Sequence, residues 1–176
     1  EQVPIKPTLK KLHLWDGGVY DNMGIEPLFK ANRNGFREEI NFAIICDASG
    51  SMGLTKCPPN LGKRVHHLIG ITMDQIRGLR ARSLVDHFEK NKNSGVYLKL
   101  GNTASKILRD GGIKNDAAES VGKGCLSEEL VQAAMKFPTT LRKLTDEEYR
   151  LLFTHGWEVA NYTLQSHCPG LFQHVP

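Results

Sequence analysis

Glu39–Asp47 reads EINFAIICD, and Gly95–Leu100 reads GVYLKL. The first is a nearly continuous apolar run that ends on an acid. Such a run suits a strand covered on both faces, as in a parallel α/β sheet. Between the two strands an amphipathic helix is expected from about Lys63 to Glu89. Its Val65, Leu68, Ile69, Thr72, Met73, Ile76 and Leu79 keep three-and-four spacing, which marks a buried face. The expected fold class is therefore α/β.

Upstream, Glu1–Lys11 carries Pro4 and Pro7 and reads as extended, and His13–Asp16 as a short strand. Gly17-Gly18 forces a turn. Asn22 is a helix cap by residue preference, with a helix expected over Gly24–Asn32, Leu28 and Phe29 on its buried side and Gly35 closing it. Residues 48–62, rich in Ser, Gly and Pro, read as a loop, and residues 101–126, rich in glycine and without periodicity, as a mobile surface loop. Ser127 with Glu128 and Glu129 starts a short helix, and Pro138–Lys143 is extended. Thr145 and Glu148 form a capping box for a last helix that runs to about Ser166. Gly156 inside it costs about 1 kcal/mol against alanine, so close packing against the sheet is expected there.

The chain has 176 residues, 40% apolar and 24% charged, with a mean hydropathy of −0.35. That suits one globular domain. The longest apolar run, Phe42–Cys46, is far short of the roughly 20 residues that span a bilayer. Residues 1–15 show no signal-peptide core. The net charge is +4, and it resides in residues 61–93, where seven basic side chains face three acidic ones. The basic face of that helix, with Arg77, Arg80 and Arg82, reads either as a solvated surface or as a contact for anionic lipid. Nucleic acid ranks third, because no aromatic cluster accompanies the charge. The four cysteines (Cys46, Cys57, Cys125, Cys168) show no C-x-x-C spacing, and His66-His67 point in different directions on a helix. No metal and no cofactor are expected.

The sharpest chemical feature is Asp16-Gly17-Gly18-Val19-Tyr20-Asp21-Asn22. A carboxylate at the C-terminal end of a strand lies where open α/β sheets place their chemistry. The two glycines let another group approach it closely. Such an Asp can act as a general base toward a neighbouring hydroxyl, or it can simply cap a turn. Asp21 and Asn22 read as caps or as support for the Asp16 loop, as do Gly17 and Gly18, while Asp47 reads as a turn-forming residue or a second cleft carboxylate.

The block Asp16–Leu28 resembles the D-G-G block of patatin-like phospholipases. The likeness continues in order through IICDASGS (Ile44–Ser51), IRGLRARSLVDHF (Ile76–Phe88), GVYLKL (Gly95–Leu100) and Thr139–Leu164. The resemblance implies a three-layer α/β/α domain, of which residues 1–176 would be the C-terminal portion, lacking the N-terminal portion. It implies a lipid acyl hydrolase with a Ser–Asp dyad, acting on a lipid or phospholipid ester, with Asp16 as the dyad carboxylate. In that family the serine lies in G-x-S-x-G, ahead of the D-G-G block. No G-x-S-x-G occurs in these 176 residues, and Ser51, in SGSMG, lacks the first glycine. The fragment alone is thus expected to be inactive, with unpaired sheet edges, and a cytoplasmic or peripheral-membrane location is expected for the parent. A non-catalytic lipid-surface or partner-binding module is the alternative.

Overall fold

The computed structural model describes residues 17–33, 35–37, 39–50 and 60–172. Within them the chain is α/β. It opens with a one-turn helix α1 (Gly18–Asp21), then β1 (Phe29–Lys30) and β2 (Gly35–Phe36), an antiparallel pair. β3 (Ala43–Asp47) follows, then the 30-residue α2 (Leu61–Lys90) and β4 (Gly95–Lys99). β3 and β4 pair in parallel, Ala43 opposite Gly95 and Asp47 opposite Lys99. The chain closes with α3 (Ala104–Asp110), α4 (Asn115–Gly122), α5 (Glu128–Met135) and α6 (Asp146–His167).

Side chains alternate across a strand, so each face of the β3–β4 pair has its own partners. Ala43, Ile45 and Tyr97 join a cluster with Leu84 and Phe88 of α2 and with Ile25 and Phe29. On the other face Val96 and Leu98 pack with Ala104, Ile107 and Leu108 of α3, Ala118 of α4, and Val159 and Tyr162 of α6. Gly95 makes the tight start of β4 possible. A Cβ there would collide with the Ala43 carbonyl oxygen and the Phe88 ring.

Several expectations are corrected. No helix spans Gly24–Asn32. Gly24 adopts φ +63°, a left-handed conformation that ends helices, and the chain turns into the β1–β2 pair. Asn22 is accordingly the C-terminal cap of α1 rather than an N-cap. Phe29 is still buried, but against Phe36 and His87 (ring centroids 5.2 and 5.4 Å). β3 is covered on one face only, because Ile44 and Cys46 are exposed. α2 also differs from its periodicity. Only Leu84 and His87 are buried, whereas Val65, Leu68, Ile69 and Leu79 are exposed. The cause is length. A 30-residue helix is about 45 Å long, and a five-residue strand about 17 Å, so α2 overhangs the sheet.

Residues 101–126 are not a loop but carry α3 and α4. Both ends of the segment are tied to α6. The Gly101 N–H donates to His155 Nε2 (3.0 Å), and the Leu126 N–H donates to Glu158 Oε1 (2.9 Å). His155 and Glu158 are three residues apart and so share the buried face of α6. Burial pushes the His155 imidazole down, which keeps Nε2 free to accept. It pushes the Glu158 carboxyl up against the opposing effect of the Leu126 N–H.

The expected caps are present. The Thr145 hydroxyl accepts from the Glu148 N–H, and Glu148 Oε2 accepts from the Thr145 N–H (3.2 and 2.9 Å). Ser127 caps α5 through the Leu130 N–H. Among the described residues no helix is long and apolar enough to cross a membrane. Gly156 does not serve close packing, since a Cβ there would meet nothing within 4 Å. Gly156→Ala should therefore raise stability by about 0.4–1 kcal/mol, through the unfolded chain and helix propensity. Urea denaturation checks this, and a loss of stability would show that the site is crowded after all.

Candidate active-site cleft

The dyad carboxylate expected from the sequence, Asp16, lies outside the described residues, as do Ser51 and Cys57. The described chain begins with the glycine that follows it. Gly17 precedes α1, and its carbonyl accepts from the Tyr20 and Asp21 N–H groups (3.0 and 2.9 Å). Gly18, Tyr20, Asp21, Asn22 and Met23 form one wall of a cleft of about 200 Å³. Ser49 and Gly50, just past the C-terminal end of β3, form a second wall. Gly70, Met73, Asp74, Ile76, Arg77 and Arg80 of α2 form the floor.

Each wall is held by one arginine of α2. Arg77 Nη1 lies 3.3 Å from Asp47 Oδ2 and 3.3 Å from the Ser49 carbonyl oxygen, and its Nη2 donates to Asp74. Asp47 also accepts from the Tyr97 hydroxyl and, at 3.0 Å, from the Ser49 N–H. Its side chain is only 2% exposed. Burial alone would raise the Asp47 carboxyl. The hydrogen bonds from Tyr97 and Ser49 and the Arg77 charge outweigh burial and hold it below its ordinary value. Burial and the Asp47 carboxylate together push the Tyr97 phenol far up, so it remains a donor.

Arg80, one turn along, holds the opposite wall. Its Nη1 lies 2.8 Å from Asp21 Oδ1 but misaligned for a hydrogen bond, so the contact is ionic. Its guanidinium also sits 5.5 Å from the centre of the Tyr20 ring and 3.7 Å from Glu26. The second oxygen of Asp21 accepts from the Glu26 N–H at 2.7 Å, which fixes the turn after α1.

The structure thus brings Gly18, Asp21, Asn22, Arg77 and Arg80 to one cleft, with Gly17 adjoining it in the chain but not lining it, and Arg82 elsewhere. Arg82 lines a separate depression of about 420 Å³ with Glu89, Lys99, Asp110 and His167. Arg77 and Arg80 are mostly buried in ion pairs, with side-chain exposures of 15% and 21%. Tyr97, Ser49 and Asp74 were not anticipated as site residues. The i,i+3 spacing of Asp74 and Arg77 was the legible signal of an ion pair. Tyr97 gave none, since it sits mid-strand and reaches Asp47 only through the sheet register. Among the described residues no group of three or more His, Cys, Asp or Glu side chains is placed to hold a metal. No protein-family model, curated protein or solved structure matches the chain.

Asp47 has a depressed folded-state pKa, so its contribution to stability is present above the ordinary carboxylate value, near 4. It is lost as pH falls through the folded-state value. Asp47→Asn should lower stability at pH 7 and flatten the acid limb of the stability–pH curve. Urea midpoints measured between pH 7 and pH 3 check this. An unchanged acid limb in the variant would show that Asp47 is not the titrating group.

Proposed function

We propose that the chain is the C-terminal portion of a patatin-like three-layer α/β/α domain in a lipid acyl hydrolase, a carboxylic ester hydrolase of lipid degradation. Asp16 supplies the carboxylate of a Ser–Asp dyad. The nucleophilic serine belongs to a part of the protein outside these 176 residues. The observation that carries the reading is the block Asp16–Leu28, in its order with the strand, helix and strand that follow. The placement of Gly18–Met23 on a cleft beside the C-terminal end of β3 supports it, because open α/β folds put their ligands there.

In this reading Asp16 takes the proton of the serine hydroxyl as the oxygen attacks the acyl carbonyl. The alcohol part of the ester leaves with a proton, and an acyl-enzyme remains. Water then attacks the acyl group while giving a proton to Asp16, and Asp16 passes that proton to the serine oxygen as the ester bond breaks and the fatty acid leaves. Gly17 and Gly18, without side chains, put no Cβ in the way of a group that approaches from their side. The ion pair Arg80–Asp21 fixes the helix that follows the glycines. No cofactor enters this scheme.

The alternative, a non-catalytic lipid-surface or partner-binding piece, rests on a different observation. Tyr149, Phe153 and Trp157 recur every four residues on α6 and are each more than half exposed. A nucleic-acid role gains nothing from Arg77 and Arg80, whose charges are already matched by carboxylates.

Asp16→Asn, in the protein with its upstream segment, should reduce hydrolysis of a short-chain p-nitrophenyl ester by about 10²–10⁴-fold, with unaltered circular dichroism. Undiminished turnover in a folded variant would refute the dyad assignment.

A further inference from the structure

The charge balance of the cleft decides what can occupy it. Among the described residues Arg77 and Arg80 are the cationic side chains that line it, and both are engaged by carboxylates. Arg77 lies between Asp47 and Asp74, and Arg80 between Asp21 and Glu26. Four carboxylates surround these two guanidiniums, and Lys30 also pairs with Glu26 at 3.8 Å, so among the described residues the region is net negative by one. Asp47 stays ionised, because its hydrogen bonds and Arg77 favour the charged form. Of these carboxylates Asp74, with its side chain 32% exposed, is the one open to a ligand in the cleft. Met23, Met73 and Ile76 supply the apolar part of the lining, beside Tyr20 and the polar Asn22 and Ser49.

We infer that this cleft binds a short aliphatic group whose head is uncharged or cationic, and that it rejects anionic heads. Met23 and Met73 receive the chain, since thioether side chains adapt to irregular apolar ligands. Asp74 faces the head. A sulfate, phosphate or carboxylate placed there meets the partly exposed Asp74 carboxylate and finds both guanidiniums already engaged by carboxylates. A partly buried like-charge contact of that kind weakens binding at least about tenfold. The inference stands on the cleft alone and does not need the hydrolase reading. Joined to that reading, it narrows the substrate to esters whose alcohol part carries no net negative charge.

The four methionines make a direct test possible. The 176-residue chain, labelled with ¹³C at its methionine methyls, is titrated with hexyltrimethylammonium, hexanol and hexyl sulfate, none of them micellar. The first two should shift the Met23 and Met73 resonances and leave Met135, which lies on α5 away from the cleft, in place. Hexyl sulfate should bind at least about tenfold more weakly than hexyltrimethylammonium. Asp74→Asn should shrink that gap. Equal or tighter binding of hexyl sulfate at Met23 and Met73, or no shift of either methyl with any of the three, would overturn the inference. Because no ester is cleaved in this experiment, its outcome is separate from that of Asp16→Asn.

Discussion

Asp47 is buried at the end of a parallel strand, and a buried carboxylate is tolerated only when it is paired and hydrogen-bonded. Three elements meet that requirement together. Arg77 comes from α2, the Tyr97 hydroxyl from β4, and the Ser49 N–H from the loop beyond β3. The network therefore sets the position of α2 over the sheet and of the 48–50 loop beside it. The cleft exists because those two elements are held at that separation. Loss of Arg77 would leave the buried Asp47 carboxylate without its counter-charge, which is far costlier than loss of a surface pair.

The same helix secures the other wall by a second arginine at i+3. Arg77 and Arg80 point from α2 to opposite sides of one cleft, and the residue spacing makes that possible. Their basicity is thus spent within the fold. The sequence shows a cluster of positive charge in residues 61–93, and the structure shows that part of it balances carboxylates from elsewhere in the chain. Local charge counts mislead when the partners are distant in sequence, as Asp21 and Asp47 are here.

What was legible in the sequence followed short-range rules. The β3 and β4 strands, the span of α2 and the Thr145–Glu148 capping box all rest on patterns of a few residues, and they are present. What was not legible depends on tertiary partners. Residues 101–126 look like a loop because glycines interrupt them, yet two buried acceptors on α6 anchor both ends and the helices form between. The Gly24–Asn32 helix fails for a local reason, since Gly24 takes a left-handed conformation that its neighbours did not announce. The apolar face of α2 was readable, but its burial was not, because periodicity reports which face is apolar and not how much of it the sheet reaches. In the cleft, Asp21, Asn22, Arg77 and Arg80 could be named from the sequence, whereas the pairing that organises them could not.

The central claim is that Asp47 and Arg77 act as one interacting unit on which the cleft is built. A double-mutant cycle with Asp47→Asn, Arg77→Met and the double variant, followed by urea denaturation at pH 7, measures that coupling. A coupling energy above about 1 kcal/mol is expected for a network of this kind. Single-variant effects that add within about 0.3–0.5 kcal/mol would mean that the two residues act independently, and would contradict the account.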